Sequence, residues 1–507
     1  MAMTPARVRV RSGIVEGSAD GGVARFLGIP YAAAPFGAHR MAPPQPAEPW
    51  DGVRPALDYG PTAPKEPYAP QFRVLLPEID IPGEDCLNLN IWTPDPAAEG
   101  LPVLVFIHGG AFVAGSGSVH QYDGSAFARD GVVCVTINYR LGAEGFLLLG
   151  DGGANLGLLD QLAALEWVQE NIAAFGGDPG RVTLAGESAG AMSVTTLLSL
   201  ERGRGLFAQA IAQSGGALHI LTGELGRTVG LRLAERLAVE PTRAALRQVD
   251  PAVLARAADG VVRDVKAMSD PVQWGSLALT LTPFAPTVDG EVLPVHPLVA
   301  YRSGAGSSVP LLTGWNRDEG RFFLVADGSI GAIDDATLAA SARSYGLPES
   351  GLSLYRRNRP GASAGDVLAA VFGDWMFAIP AIRVAEARGS AAQTWVYRFD
   401  HPQDRSNHGF GPAHAAELPY VFDTIHQQPT HALIGNSPSR DVADTVHGTW
   451  VRFIRDGDPG WPVYRTDERC VGVLAEDLRH EVDPAGAERR AWDGTHLPSS
   501  APDPREL

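Results

Sequence analysis

Lysine is nearly absent from this chain of 507 residues, and cysteine is scarce. Its two lysines are Lys65 and Lys266, and neither follows a serine by three positions, which excludes a hydrolase built on a Ser-x-x-Lys motif. Cys86, Cys134 and Cys470 are an odd number of cysteines without the spacing of metal ligands. We therefore expect reduced thiols and a cytoplasmic location.

Positive charge and long apolar runs are also in short supply. The formal net charge of −17 leaves no basic surface for nucleic acid or anionic lipid. The longest apolar stretches, such as residues 101–107, fall far short of the roughly 20 residues that a membrane helix needs. Residues 1–10 lack the apolar core of a signal peptide. We expect no nucleic-acid partner and no membrane partner, and the sequence leaves open a monomer or a small homo-oligomer.

Strand-like and helix-like segments alternate along the chain, which at 45% hydrophobic residues can bury a large core. Continuous apolar runs at 102–107 and 132–137 predict strands that are covered on both faces. Residues 156–175 show helical spacing, and residues 7–17 alternate like an antiparallel hairpin. The pattern predicts an α/β fold with a large, mostly parallel central sheet, helices on both faces and an N-terminal hairpin.

The remaining segments suggest a single domain over residues 1–480. Residues 219–280 and 326–390 have helical patterns and few strand signals, so we predict helical insertions over one end of the sheet. Residues 30–84 are rich in proline and glycine and predict a long surface loop. Residues 481–507 are polar and contain several prolines, which predicts a loosely held C-terminal tail.

A G-x-S-x-G pattern stands at Gly186-Glu-Ser188-Ala-Gly190. The pattern alone is weak, but here a predicted strand (182–186) precedes it and a predicted helix (189–199) follows it. A strand that turns sharply into a helix holds the serine in a strained backbone conformation. Its oxygen then lies at the helix N-terminus, where negative charge is stabilised. The context predicts that Ser188 is the nucleophile of an α/β-hydrolase fold.

A glycine-rich segment, His108-Gly-Gly-Ala-Phe112, follows the apolar run that ends at residue 107. It resembles the HGGG-type loop of esterases, whose backbone N–H groups bind an oxyanion. We assign an oxyanion hole to the N–H groups of Gly110, Ala111 and Ala189. We expect His108 to hold the loop by hydrogen bonding rather than to transfer protons.

The acid and the base of a catalytic triad should follow the serine along the chain. Asp318 and Glu319 come after a predicted strand at 309–314, and spacing alone does not choose between them. For the base, His414 lies in a loop shaped by glycine and proline, with His401 and His408 as nearby rivals. No pair of these histidines has the spacing of metal ligands, so we expect neither a metal nor a cofactor.

Five blocks along the chain resemble the type-B carboxylesterase and cholinesterase family, particularly its bacterial para-nitrobenzyl-esterase-like members. The resemblance covers nearly the whole chain and rests on FLGIPY (26–31), EDCLNLN (84–90), NLGLLD (155–160), FGGDP (175–179) and GESAG (186–190). It implies a serine carboxylesterase that works through an acyl-enzyme on Ser188. An apolar pocket for small to medium neutral esters is the corresponding expectation.

The resemblance also assigns residues that spacing left open. It implies that Glu319, in the Asp-Glu-Gly element, is the triad acid and that His414, in Gly-x-x-His-x-x-Glu, is the base. It implies that Ser214, in a Gln-Ser-Gly element, lies behind the triad and hydrogen-bonds Glu319. It further implies aromatic residues along the substrate pocket at Phe112, Phe322 and Phe323.

One departure from the family pattern concerns Cys86, which many secreted members pair with an earlier cysteine. This chain has no earlier cysteine, so that disulfide cannot form within it, which favours an intracellular enzyme. Two alternatives to esterase activity remain. One is a non-catalytic binding module, as in adhesion relatives that have lost a triad member; the other is a hydrolase acting mainly on amides, carbamates or thioesters.

Overall fold

A computed structural model describes residues 4–268, 274, 277, 282–401, 407 and 409–495. The strands of this part of the chain form one sheet and are β1 (Thr4–Val10), β2 (Gly13–Asp20), β3 (Val23–Pro30), β4 (Val53–Pro55), β5 (Asn88–Thr93), β6 (Leu101–Ile107), β7 (Val133–Ile137), β8 (Gly177–Glu187), β9 (Gln209–Gln213), β10 (Leu311–Asn316), β11 (Thr394–Phe399), β12 (Cys470–Leu474) and β13 (Leu478–Val482).

The α-helices of the described residues flank this sheet and fill the connections between its strands. They are α1 (Pro70–Arg73), α2 (Ser125–Arg129), α3 (Gly142–Phe146), α4 (Leu156–Asn171), α5 (Ala189–Leu198), α6 (Gly223–Leu237), α7 (Arg243–Leu246), α8 (Pro251–Met268), α9 (Pro297–Arg302), α10 (Arg321–Ala326), α11 (Asp335–Ser344), α12 (Glu349–Asn358), α13 (Ala364–Gly373), α14 (Ile379–Arg388), α15 (Leu418–Val421), α16 (His431–Ile434), α17 (Arg440–Asp456) and α18 (Gly486–Ala491).

The strand order is β1-β2-β3-β5-β7-β6-β8-β9-β10-β11-β12-β13, with β4 paired to β2 outside this path. Pairing is parallel from β7 through β12. It is antiparallel between β1 and β2, β2 and β3, β3 and β5, β5 and β7, and β12 and β13. The side pair of β2 and β4 is parallel. The α/β-hydrolase fold, with a mostly parallel sheet and an N-terminal hairpin, is thereby confirmed.

Strand β6 shows why its sequence is apolar throughout. Successive side chains of a strand point to opposite faces, and both faces of this strand are covered. Val103 and Val105 pack in one core cluster with residues of α4 and α5. Leu104 and Phe106 pack in a second cluster with residues of α2 and α17. The two layers of helices therefore hold the central strands rigidly and fix the positions of the loops at their ends.

In the part of the chain that the structure describes, one continuous helical stretch is apolar enough to cross a membrane by length and composition. It spans Ala364–Arg388, and 83% of its most apolar window is buried inside the fold. Within it, α13 passes through a π-helical turn at Asp374–Ala378 before α14 begins. Burial to this extent is what a core helix of the folded domain shows.

The expected loose tail at 481–507 is wrong for its first part. Residue 481 lies inside β13, and α18 follows it. Trp492 is 1% exposed, and its indole N–H donates a hydrogen bond of 2.9 Å to the hydroxyl of Tyr355. A single buried tryptophan anchors this segment because it removes a large apolar surface from water. Residues 496–507 lie outside the described residues.

A buried ion pair joins the loop after β7 to α4. Asp160 receives hydrogen bonds from Arg140 Nε at 2.8 Å and from Arg140 Nη2 at 2.7 Å. The side chain of Arg140 is 2% exposed, and that of Asp160 is 0% exposed. The remaining guanidinium nitrogen, Nη1, donates to the carbonyl oxygen of Ala42 at 2.7 Å. The pair thus ties the long 30–84 loop to the core.

We predict that Asp160→Ala lowers the free energy of unfolding by about 3–5 kcal/mol, because it leaves the Arg140 guanidinium buried without a counter-charge. Urea denaturation of the purified variant measures this change. Glu201→Ala, which removes one partner of an ion pair exposed on both sides, is the control and should change stability little. Equal effects of the two substitutions would contradict the prediction.

Candidate active site

The carboxyl ends of three parallel strands bring the predicted triad together. Ser188 follows β8 directly, Glu319 lies just beyond β10, and His414 lies in the connection after β11. Carboxyl ends of parallel strands meet at one edge of a sheet, where open α/β proteins place their sites. The acid and base loops are also joined, since the N–H of Asp318 donates to the carbonyl oxygen of Pro412 at 3.0 Å.

The three side chains form a continuous hydrogen-bonded chain. His414 Nδ1 is 2.7 Å from Glu319 Oε2, and His414 Nε2 is 3.0 Å from Ser188 Oγ. The second oxygen of Glu319 accepts the backbone N–H of Asn316 at 2.8 Å. With the carboxylate accepting the proton on Nδ1, the ring can keep Nε2 free to receive the serine proton.

The competing acid and base candidates lie elsewhere. The carboxylate of Asp318 pairs with Arg317 at 3.0 Å, so Glu319 and not Asp318 reaches the imidazole. His401 packs near the rings of Phe399 and Tyr420, at 6.4 and 5.8 Å between centroids. His408 lies outside the described residues. Within the described residues no group of three or more histidine, cysteine, aspartate or glutamate side chains is arranged to hold a metal ion.

The backbone at Ser188 has a conformation that few non-glycine residues adopt, with φ of 57° and ψ of −121°. Its N–H donates to the carbonyl oxygen of Gln213 at 2.9 Å, which holds the strained turn in place. A Cβ atom at Gly190 would lie 2.0 Å from the carbonyl oxygen of Ile107. Glycine is therefore required two residues after the serine, because β6 and α5 approach each other that closely.

The glycine-rich loop lies directly against the serine. A Cβ atom on Gly109 would lie 3.0 Å from the Cβ of Ser188. Gly110 and Ala111 both have positive φ, of 114° and 54°, and with Ala189 they line the cavity beside the serine. An anion held between this loop and the N-terminus of α5 would meet backbone N–H groups rather than side chains.

His108 anchors this loop. Its Nδ1 lies 2.7 Å from the carbonyl oxygen of Gly109, and its ring stacks on Tyr139 at 4.5 Å between centroids. The hydroxyl of Tyr139 donates in turn to the carbonyl oxygen of His108 at 2.9 Å. Burial lowers the pKa of His108 to about 4, so the ring is neutral near pH 7. These contacts give the histidine a structural place behind the loop.

A cavity of about 1010 Å³ opens above the serine. Phe322 and Phe323 line it and approach the His414 ring, at 5.8 and 5.4 Å between centroids. Phe112 does not line it, so that expectation is wrong. At φ of 62° the chain reverses at Phe112, and the side chain packs in the core against Phe146 at 4.8 Å.

The expected hydrogen bond between Ser214 and Glu319 is absent. In the described part of the chain the hydroxyl of Ser214 is buried without a hydrogen-bond partner. Its backbone N–H donates instead to the carbonyl oxygen of Gly314 at 2.9 Å. The two oxygens of Glu319 are already engaged, one by the N–H of Asn316 and one by His414.

Two further buried glutamates, which the sequence did not single out, surround the imidazole. Glu187 Oε1 lies 3.3 Å from His414 Nε2, close to the path of the serine proton. Glu417 accepts hydrogen bonds from Asn316 Nδ2 at 2.5 Å and from Gln213 Nε2 at 3.0 Å. The base therefore lies among three carboxyl groups in a site from which water is largely excluded.

These carboxyl groups control the protonation of the base. Burial alone would lower the pKa of His414, but the negative charges of Glu187 and Glu319 outweigh it and raise the pKa above its usual value. For the carboxyl of Glu187 burial acts in the other direction: it raises the pKa, and the nearby charge of His414 opposes this change. Because the two groups are in contact, their protons come off as a coupled pair.

Glu187 could have been found from sequence, while Phe377 could not. Glu187 occupies the variable position directly before the nucleophile, where its side chain is held at the strand end beside the glycine-rich loop. Phe377 stacks on the His414 ring at 4.4 Å between centroids and an angle of 28°. It belongs to the π-helical turn of a helical insertion, and no local pattern marks it as facing the site.

Comparison with known proteins gives a consistent result over nearly the whole chain. The model of the carboxylesterase family matches residues 4–470. Para-nitrobenzyl esterase of Bacillus subtilis (strain 168) is 36% identical over 96% of this chain and 98% of its own. Phenmedipham hydrolase of Pseudarthrobacter oxydans is 35% identical over 92% of this chain and 94% of its own. The crystal structure of Geobacillus stearothermophilus carboxylesterase EST55 superposes with a TM-score of 0.84 at 37% identity, covering 96% of this chain and 100% of that one.

We predict that Glu187→Gln moves the acid limb of the pH profile for Ser188 labelling by an organophosphate to lower pH. Attack by the serine needs a neutral His414, and this requirement is met only above the pKa that Glu187 helps to raise. Labelling rates measured from acid to alkaline pH give the limb directly. Glu48→Gln, which removes an exposed carboxyl that is not among the groups acting on His414, is the control. An unmoved limb in Glu187→Gln would show that Glu187 carries no charge while His414 titrates.

Proposed function

The chain belongs to the carboxylesterase family and hydrolyses carboxylic esters, and we propose that it does so through Ser188, His414 and Glu319. The observation that carries this assignment is the hydrogen-bonded chain from Glu319 to His414 at 2.7 Å and from His414 to Ser188 at 3.0 Å. The same order of serine, acid and base along the sequence is typical of the α/β-hydrolase fold.

In the first half of the reaction, Ser188 Oγ attacks the carbonyl carbon of the ester while His414 Nε2 takes the hydroxyl proton. Glu319 stabilises the imidazolium that forms. The carbonyl electrons move onto oxygen, and the N–H groups of Gly110, Ala111 and Ala189 bind this oxyanion. Removing one such donor from comparable sites costs about 3–4 kcal/mol of transition-state stabilisation.

The first tetrahedral intermediate then collapses, and the imidazolium of His414 gives its proton to the departing alcohol. The acyl group is then an ester of Ser188. Water enters, His414 takes one of its protons, and the resulting hydroxide oxygen attacks the acyl carbon. When the second intermediate breaks down, the proton returns to Ser188 Oγ and the carboxylic acid leaves.

The cavity supports small to medium neutral esters as substrates. Its walls near the serine are apolar and largely aromatic, a composition that binds uncharged groups by burying their surface. The residues concerned include Met192, Leu254, Phe322, Phe323 and Phe377. Its volume of about 1010 Å³ leaves room for an aryl or benzyl group on one side of the ester. Because one relative is a para-nitrobenzyl esterase, we propose that benzyl esters are among the compounds accepted.

The cysteines support a cytoplasmic location. Cys86, Cys134 and Cys470 are all buried as free thiols. Burial raises the pKa of each thiol above its usual value, which leaves little reactive thiolate. A chain without disulfides gains no stability from an oxidising compartment, so we propose that the enzyme works where thiols stay reduced.

We predict that Ser188→Ala lowers kcat for nitrophenyl esters by at least about 10⁴-fold, because the acyl-enzyme cannot form. A chain-length panel of nitrophenyl esters, run on both proteins, measures the loss and reports the acyl preference of the wild type. Ser303→Ala, an exposed serine on the surface, is the matched control and should retain the activity. Turnover by Ser188→Ala near the wild-type rate would refute the assignment.

A further inference from the structure

Residues 61–81 form a covering loop over the cavity, and hydrogen bonds tie its two ends together. The N–H of Thr62 donates to the carbonyl oxygen of Ile81 at 3.0 Å, and the N–H of Ile81 donates to Thr62 Oγ1 at 3.1 Å. Lys65 Nζ donates to the same hydroxyl at 3.0 Å. A surface loop whose ends are joined in this way is compact and holds its side chains in defined positions.

Tyr68 is fixed at the centre of the covering loop. Its backbone N–H donates to Glu78 Oε2 at 3.1 Å, and its carbonyl oxygen accepts from Arg73 Nε at 2.6 Å. Both bonds involve charged side chains of the same loop, which makes them stronger than bonds between neutral groups. These bonds fix the backbone of Tyr68 at the cavity that its side chain lines.

The hydroxyl of Tyr68 lies against the glycine-rich loop. A Cβ atom on Gly110 would come within 3.0 Å of this oxygen. At the preceding residue of the same loop, a Cβ atom on Gly109 would lie 3.0 Å from the Cβ of Ser188, and all four residues line one cavity. The phenol therefore reaches the end of the cavity where the nucleophile and the backbone donors converge. Among the described residues, none receives a hydrogen bond from this hydroxyl.

The surroundings of Tyr68 keep its proton in place. Burial raises the pKa of the phenol far above its usual value, and the negative charges of Glu78 and Glu187 add to the effect. The hydroxyl consequently remains a neutral donor through the pH range in which His414 changes its protonation. A donor that is fixed and largely desolvated interacts most strongly with a partner that gains negative charge.

A second aromatic residue of the covering loop secures the opposite side of the site. Phe72 stacks on Phe322 at 5.3 Å between centroids and 26°, and Phe322 in turn meets the His414 ring edge to face at 5.8 Å. The covering loop is thus held at two points, by Tyr68 near the oxyanion donors and by Phe72 near the base. These two contacts pack the covering loop against both sides of the site, which limits how far the Tyr68 hydroxyl can move.

We propose that Tyr68 is a further catalytic residue, whose hydroxyl donates a hydrogen bond to the oxyanion beside the N–H groups of Gly110, Ala111 and Ala189. The proposal rests on the proposed function, since it concerns the same tetrahedral intermediate. No proton is transferred: the phenol keeps its hydrogen, and the bond strengthens as the carbonyl oxygen becomes an anion. An interaction that is stronger in the transition state than with the substrate raises kcat rather than lowering KM.

Tyr68→Phe tests the proposal because it removes only the hydroxyl oxygen. We expect kcat for a nitrophenyl ester to fall roughly tenfold or more, with KM changed less than about twofold. The affinity for a trifluoromethyl ketone, which forms a tetrahedral oxyanion on the serine, should fall by the same factor as kcat/KM. Organophosphate titration to its end point counts the folded sites, so a loss of folded protein is separated from a loss of rate.

Tyr59→Phe is the matched control, since Tyr59 precedes the covering loop, packs near His120 and does not line the cavity. The proposal is overturned if Tyr68→Phe retains kcat and ketone affinity within about twofold of wild type, or if only KM rises. Failure of the proposed function would look different, because wild-type Ser188 would then not take up the organophosphate at all.

Discussion

The hydrogen bond of 2.7 Å between His414 and Glu319 is the contact on which the rest of the site depends. It fixes the orientation of the imidazole and places the second ring nitrogen at Ser188. The bond can form because parallel strands end at one edge of the sheet and because the N–H of Asn316 holds the other carboxylate oxygen. Two layers of helices make those strand ends rigid, so the stability of the fold and the geometry of the site have the same origin.

Around this bond the chain concentrates features that would be unfavourable elsewhere. Three carboxyl groups, those of Glu187, Glu319 and Glu417, are buried around one imidazole. Ser188 has a strained backbone, and glycines allow two elements to come into contact beside it. The buried charges increase the basicity of the ring, and the strained turn exposes the nucleophile at a helix N-terminus. The apolar core on each face of the central strands stabilises the fold and so offsets the buried charges and the strained turn.

The sequence was most informative where one short segment determines the geometry. Ser188 and the glycine-rich loop could be placed from neighbouring residues, because the turn between a strand and a helix is a local structure. It was least informative about side-chain directions. Asp318 turns outward to Arg317 while its neighbour Glu319 turns inward, and Phe112 packs in the core against Phe146 although the adjacent Ala111 lines the cavity.

Residues that reach the site from distant segments could not be predicted, because no local sequence pattern specifies which distant elements pack together. Phe377 and the covering loop are brought to His414 and Gly110 by packing between elements far apart in the chain. Trp492 anchors a segment whose polar, proline-containing composition predicted a loose tail. Ser214 lacks the hydrogen bond to Glu319 that the resemblance implied, and its buried hydroxyl has no partner among the described residues.

Trapping the covalent intermediate tests the central claim most directly. Wild-type enzyme is mixed with a nitrophenyl ester, quenched in acid within one turnover, digested and mapped by mass spectrometry. The account predicts one acyl group, on the peptide that contains Ser188, and no trapped acyl group when His414 is replaced by alanine. An acyl group found on another residue, such as the cavity-lining Lys65 or Lys266, while ester is being turned over would contradict it.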